Sequence, residues 1–454
     1  MTRRPGAVLA LLAFAQLIIS LDYNIVYVAL PDIGRELGFS AQSLQWVVSA
    51  YAVAFGGFLL LGGRACDLFG PRRVFAAGCA LYAGSSLVGG LAGDPGLLVG
   101  ARAGQGLGGA LLFPATLTLV GTLFAAGRDR NRAFAVWGTA GGSGMILGSL
   151  LGGVLTQVSG WAAVFFVNVP LAAAAAVLAF ALLPGDPARE PGRRFDLGGA
   201  LTATLGTTSV VFALVEGPEL GWTSVVVPAS AGFALLAAFA VIERRSRDPL
   251  LPLRLLRERN LGTGVVVTFL YMGTFGTLLY FLTAYFQGVH GYGALATGLA
   301  FGVPMVAIAA GSQAAGRLAT RYGTRPTLVV SLLAGGAGAA LLGLSMTAEA
   351  SYLAVVPALV VLGLGQGAGY TLMFGAAAAG IPVTAQGIAS GVASTAQQVG
   401  GTVGLAVFVA VANAGTSEVD GLRTAVLLAA AGIAMTALAA LRFRGSRPGV
   451  AIPA

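Results

Sequence analysis

Leu21-Asp22-Tyr23-Asn24-Ile25-Val26-Tyr27-Val28-Ala29-Leu30-Pro31 closes an apolar run that begins near Gly6. The stretch is long enough to lie inside a lipid bilayer, yet it carries a carboxylate about 8 residues from its end. At a helical rise of 1.5 Å per residue that is roughly 12 Å below the outer face. An ionised group at such depth is costly and ordinarily faces a bundle interior or a water-filled cavity, so Asp22 is read as a coupling or substrate residue. The alternative is a structural acid satisfied by a neighbouring helix. Arg3 and Arg4 before the run resemble the start of a signal peptide. The run is too long for one and has no small-residue cleavage site, which makes it a retained helix.

The rest of the chain extends this reading. Hydrophobic residues make up 57% of 454 and charged residues 9%, with a mean hydropathy of +0.86. A soluble domain carries about 25% charged residues, so the composition describes an integral membrane protein. Apolar segments of ~20 residues, the length that crosses a bilayer, are centred on 6–30, 41–63, 74–93, 96–125, 133–157, 162–184, 197–217, 223–242, 261–286, 296–316, 327–346, 352–376, 387–412 and 424–441. Fourteen spans are therefore expected.

The net charge of +9 comes from 26 basic residues, all arginine. They gather in alternate loops: Arg3 and Arg4, Arg72 and Arg73, Arg128 to Arg132, Arg189 to Arg194, Arg244 to Arg259, Arg321 and Arg325, and Arg442 to Arg447. The other loops carry mainly acids. An excess of arginine marks cytoplasmic loops, so the charge is an orientation signal rather than a nucleic-acid patch. Both termini are placed in the cytoplasm and the number of spans is even. Trp46, Trp161 and Trp222 fall at outer boundaries, where interfacial indoles belong. Cys66 and Cys79 lie near the cytoplasmic face, where a disulfide is not expected, and two thiols make no metal site. His290 is in an external loop, so no interior proton chemistry rests on imidazole. No nucleophile–base pair, metal cluster or phosphate loop is present, which argues against an enzyme or an ATP-driven pump. A channel built from rings of symmetric subunits does not suit a chain that carries its symmetry internally.

That symmetry is explicit. Gly63-Arg64-Ala65-Cys66-Asp67-Leu68-Phe69-Gly70-Pro71-Arg72-Arg73 is echoed 253 residues later by Gly316-Arg317-Leu318-Ala319-Thr320-Arg321-Tyr322-Gly323-Thr324-Arg325. Gly104-Gln105-Gly106-Leu107-Gly108 is echoed 261 residues later by Gly365-Gln366-Gly367-Ala368-Gly369. Both matches are displaced by eight helices. The expected architecture is all-α, with two pseudo-symmetric six-helix bundles at 1–184 and 260–454 and two inserted helices with their linkers at 185–259. Parallel repeats of this kind are a transporter device, with the substrate near the midplane.

These residues resemble the fourteen-helix drug:proton antiporters of the major facilitator superfamily. The resemblance runs over nearly the whole chain. It rests on the Leu21–Pro31 stretch, the Gly63–Arg73 loop, Arg102-Ala103-Gly104-Gln105-Gly106, the run ending Gly148-Ser149-Leu150-Leu151-Gly152-Gly153, Phe165-Phe166-Val167-Asn168-Val169-Pro170, Phe195-Asp196-Leu197-Gly198-Gly199 and Pro249-Leu250-Leu251-Pro252. It implies a proton-coupled exporter of a small amphipathic drug, antibiotic or secondary metabolite, monomeric, without a cofactor, in a bacterial plasma membrane. An uptake symporter shares the fold and is the alternative within transporters; a receptor or scaffold is the alternative outside them. Ser149 stands where the family usually has proline in a motif associated with antiport. Thr320 stands where the repeat would echo Asp67.

Arg102 lies about 6 residues into its helix, roughly 9 Å from the outer face, close to the depth of Asp22. An arginine nearby favours the ionised carboxylate and loss of water disfavours it, so a change in either loads and releases a proton. Arg102 snorkelling to the interface is the alternative. The resemblance implies that Asp67, with Gly63, Gly70, Arg72 and Arg73, latches a cytoplasmic gate. Gly144, Gly148 and Gly152, at i, i+4 and i+8, form a smooth stripe that lets helices approach and rock. Substrate contacts are sought among Asn24, Tyr27, Tyr51, Gln105, Tyr280, Tyr285, Gln313, Gln366, Tyr370 and Gln397. Asp22 is the only acid placed well inside a helix, which favours neutral, weakly basic or anionic substrates over strong dications. The absence of lysine beside abundant arginine, alanine and glycine points to a G+C-rich bacterial genome.

Overall fold

The computed structural model describes residues 5–124, 128–186, 197–246, 249, 258–378 and 386–443. They form helical rods joined by short turns, with no strand among them. We number the rods α1 (Pro5–Leu37), α2 (Trp46–Phe69), α3 (Pro71–Gly90), α4 (Pro95–Leu123) and α5 (Arg128–Ser159). The chain continues with α6 (Ala163–Leu182), α7 (Leu197–Leu220) and α8 (Val226–Arg245). Then come α9 (Arg259–Val289) and α10 (Ala294–Tyr322), α11 (Thr324–Ser345), α12 (Tyr352–Ala378), α13 (Gln386–Asn413) and α14 (Glu418–Ala440). Among the described residues, 11 helices are long and apolar enough to cross a membrane.

The chain divides into two compact units: Met1–Ser40, Trp46–Ser209 and Ser230–Leu250 form one, and Ala41–Gln45, Val210–Ala229 and Leu251–Ala454 the other. Helix α7 therefore begins in the first and ends in the second.

In the first unit, α1 packs along α5, and α4 lies against α2 and α3. The glycine stripe explains the first pairing. A Cβ on Gly144, Gly148 or Gly152 would meet the carbonyls of Leu17, Leu21 and Ile25 in turn, so each glycine receives one carbonyl of α1 at helical spacing. Gly106 does the same on α4, where a Cβ would strike the Tyr51 carbonyl of α2. Such close approach is what small residues permit in a membrane, where lipid is as apolar as leucine and packing drives association.

The second unit repeats the pattern. Gly400 and Gly404 of α13 face the carbonyls of Phe269 and Gly273 in α9, and Gly367 of α12 faces that of Ile308 in α10. The turns correspond too: Gly70 before α3 and Gly323 before α11 both take left-handed backbone, with φ of 91° and 90°, a conformation that costs glycine little. The sequence repeat is thus a repeat of backbone contacts. Helix α9 is the least regular rod, passing through a 3-10 turn at Phe275–Thr277 and a π turn at Ala284–Val289.

Candidate functional site

Asp22 and Arg102, alike in depth, meet. Arg102 Nη1 donates to Asp22 Oδ2 at 2.7 Å, and the two residues are 0% and 1% exposed. Neither snorkels. Three further groups hold the arginine: Nε donates to the Val47 carbonyl at 2.7 Å, Nη1 also reaches Gln105 Oε1 at 2.9 Å, and the guanidinium lies 4.5 Å from the centre of the Tyr51 ring. The other carboxylate oxygen is just as well supplied. Asp22 Oδ1 accepts from Asn168 Nδ2 at 2.8 Å and from Gln105 Nε2 at 3.3 Å. Gln105 Nε2 also donates to Ser86 Oγ at 2.8 Å, and Ser86 in turn donates to the Tyr82 carbonyl at 2.7 Å.

Helices α1, α2, α3, α4 and α6 each contribute to this centre. Burying two charges costs several kcal/mol per ion, recovered only when the geometry is good and the remaining polar atoms are bonded. Here the carboxylate has donors on both oxygens. The oxygen of Asn168 is buried in the same centre without a hydrogen-bond partner, and the hydroxyls of Tyr51 and Tyr82 stand beside the carboxylate. The arrangement can hold a negative charge away from water, and it places polar groups with spare capacity beside it.

The sequence reading placed Gln105, Tyr51 and Tyr27 among substrate contacts. Gln105 and Tyr51 belong to the buried centre, and Tyr27 is 2% exposed on the same helix as Asp22. Asn24 is buried and donates to the Met145 carbonyl of α5 at 3.0 Å, a helix-to-helix tie. In the second unit, Gln397 donates to Tyr370 Oη at 3.4 Å, and Tyr271 donates to the Gln366 carbonyl at 2.6 Å. The rings of Tyr271 and Tyr370 lie 6.1 Å apart, which gathers Gln366, Tyr370 and Gln397 into one cluster. Tyr370 is 38% exposed and Gln313 is exposed on α10. Tyr280 is half-buried, and Tyr285 is buried with its hydroxyl donated to the Thr347 carbonyl at 2.8 Å.

Two residues escaped the sequence reading. Asn168 entered it only as one letter of a family-like run. Asp186, in the segment after α6, did not enter at all. Its Oδ1 accepts from the Arg72 backbone N–H at 2.8 Å and its Oδ2 from that of Arg73 at 3.1 Å, and its side chain is 6% exposed. Asp186 therefore caps the first turn of α3, a turn opened by the left-handed Gly70 and Pro71, and it carries the charge that favours a helix N-terminus. A Cβ on Gly70 would overlap this carboxylate. Arg72 extends the other way, donating to the Phe180 carbonyl at 2.6 Å with its guanidinium 5.1 Å from the Phe180 ring centre. The Asp67 side chain lies outside the described residues, as do Arg189, Arg193 and Arg194.

A bundle of membrane-length helices in two repeated units, with one buried ion pair in the first, defines a transporter architecture. The description of the Major Facilitator Superfamily matches residues 12–405, and the chain belongs to that superfamily. It is 42% identical over 423 residues to the puromycin resistance protein pur8 of Streptomyces alboniger, covering 91% of this chain and 83% of the relative. It is 37% identical over 427 residues to the cephamycin export protein CmcT of Amycolatopsis lactamdurans, covering 92% and 87%. Among solved structures, the nucleoside transporter NupG aligns with a TM-score of 0.67 at 14% identity, over 96% of this chain and 99% of that one, a likeness of fold.

Proposed function

We propose that the chain is a proton-coupled secondary transporter that exports a small amphipathic molecule, a drug, antibiotic or secondary metabolite, by alternating access. The buried Asp22–Arg102 pair carries this reading, since a scaffold gains nothing from a charge held in a membrane interior. Likeness to relatives named for puromycin resistance and cephamycin export supports the direction. Asp22 takes up and releases the proton, and Arg102 sets its charge state by proximity. The Gly63–Arg73 stretch, which forms the end of α2 and the start of α3 rather than a loop, is with Asp67 the cytoplasmic latch; Gly148 and Gly152 provide the seam on which α5 moves against α1. The cycle makes and breaks no covalent bond of the substrate, and the partners are that substrate, protons and lipid. The protein works as a monomer in a bacterial plasma membrane with both termini in the cytoplasm, its fourteen helices arranged as two bundles at 1–184 and 260–454 joined by the inserted pair at 185–259. Of the ten substrate-contact candidates, Asn24, Tyr51, Gln105 and Tyr285 are engaged in packing or in the ion-pair centre and Tyr27 is buried beside it, so the role is assigned to Gln313, Tyr280 and the cluster of Gln366, Tyr370 and Gln397.

The test is a panel of toxic compounds on a pump-deficient bacterial host expressing wild type or Asp22→Asn at matched levels. Resistance with wild type that disappears with Asp22→Asn is expected. Increased sensitivity with wild type would mean uptake and overturn the reading.

A further inference from the structure

We infer that Asn168 is a positioning residue that reports the charge state of Asp22 to helix α6. The inference rests on the reading of Asp22 as the proton carrier and goes beyond it by assigning the group that senses the proton.

In the arrangement described, Asn168 spends both of its amide hydrogens: Nδ2 donates to Asp22 Oδ1 at 2.8 Å and to the Val164 carbonyl at 3.1 Å. The residue is 0% exposed, and its Oδ1 has no partner. Arg102, Gln105 and Asn168 all donate to the carboxylate, with the Tyr82 hydroxyl beside them. That set suits an ionised Asp22. A protonated Asp22 carries an O–H that needs an acceptor, and an amide hydrogen facing a protonated oxygen is a poor match.

The groups facing Asp22 from each packed helix identify the acceptor. Arg102 from α4 has no acceptor to offer. Gln105, also from α4, has its oxygen engaged by Arg102 and its nitrogen by Ser86. Tyr51 from α2 and Tyr82 from α3 stand within electrostatic reach of the carboxylate; a hydroxyl serves either charge state by rotating one hydrogen and moves no heavy atom. Helix α5 presents Gly144, Gly148 and Gly152 to α1, which carry no polar side chain. Asn168 from α6 has a spare acceptor on the same amide that already touches Asp22. Turning that amide exchanges nitrogen for oxygen at Asp22 and takes the donor away from Val164. Helix α6 runs through Val167 with helical backbone (φ −60°, ψ −32°), and Pro170, two residues past Asn168, brings no N–H to the ladder. The carbonyl released lies in the turn before that proline. Proton uptake at Asp22 thereby removes one side-chain tie from this turn of α6.

Infrared difference spectroscopy on the purified full-length protein, with asparagine labelled by 13C in its side-chain carbonyl, reads both partners during a pH titration. The chain has five asparagines at 24, 131, 168, 260 and 413, so the Asn168 band is assigned by its loss in Asn168→Ser. The Asp22 carboxyl band is assigned by its loss in Asp22→Asn. The expected result is an Asn168 carbonyl band that shifts at the same pH midpoint as the Asp22 carboxyl band and stands still in Asp22→Asn. A titrating Asp22 band with a stationary Asn168 band overturns the inference and leaves Asp22 as the carrier. Absence of any titrating Asp22 band overturns the carrier reading and this inference with it. Should Asn168→Ser fold poorly, Asn168→Gln supplies the assignment, since it moves the amide band without removing the amide.

Discussion

At the scale of the residue, the centre of unit one is a charge pair whose halves are stable only together. Taking away Arg102 leaves a buried carboxylate with two weaker donors; taking away Asp22 leaves a guanidinium facing Gln105 and a carbonyl. Removing one partner of a buried pair costs about 3–5 kcal/mol. Arg102→Ala is therefore expected to destabilise the detergent-solubilised protein by about 3–5 kcal/mol, read as a lowered melting temperature. The double variant Asp22→Ala/Arg102→Ala should recover part of the loss, which a double-mutant cycle on thermal unfolding checks. The neutralised double variant should nonetheless show no uphill transport. Much of this pair was legible in the sequence, because depth along a helix follows from counting residues. The rest was not: counting gives no rotation about the helix axis and no list of neighbouring helices. Gln105 was accordingly placed among substrate contacts when it faces the ion pair. Asn168, an ordinary residue in an apolar helix, gave no signal of its own.

At the scale of the element, α1 and α5 are joined by carbonyls seated on glycines. Gly148→Ala would put a methyl group into the Leu21 carbonyl, and the helices must separate to admit it. Overpacking of this kind costs about 1–3 kcal/mol, and the loss should appear both in melting and in transport rate. Gly142→Ala, on the same helix with nothing within 4 Å of the added carbon, should leave both unchanged or slightly improve melting through helix propensity. The start of α3 obeys a different rule. Asp186 satisfies two backbone donors there, so Asp186→Ala is expected to destabilise the protein by about 1 kcal/mol, the usual worth of a cap. Asp186→Asn should retain part of it, and thermal unfolding separates the two. The glycine stripe was visible as an i, i+4, i+8 spacing. The Asp186 cap was not, because it joins positions more than a hundred residues apart and belongs to no motif.

At the scale of the whole molecule, loop arginines set the orientation expected for every helix. In a background with Cys66→Ser and Cys79→Ser, Thr416→Cys in the turn before α14 should react with a membrane-impermeant maleimide added to intact cells. Arg325→Cys at the start of α11 should react only after the cells are opened. The reverse pattern would invert the topology, and labelling of both from outside would mean an even number of spans between them instead of the three expected. The membrane-length helices and the repeat were readable, because span length and backbone turn geometry are properties of short local sequence. How α7 is shared between the two units was not, since its apolar residues are arranged alike on every side and name no partner.

The repeat has one consequence that follows from its imperfection. Setting the α1/α5 glycine seam against the α9/α13 seam puts Thr274 or Leu270 at the place of Asp22, and neither carries a charge. Arg102 corresponds in the same way to Gly363. One copy has kept the electrical component and the other has been released from it. On the reading of Asp22 as the proton carrier, selection for coupling falls on the first repeat alone, and exchange of the chain downstream of α8 between related genes is expected to leave the coupling centre whole.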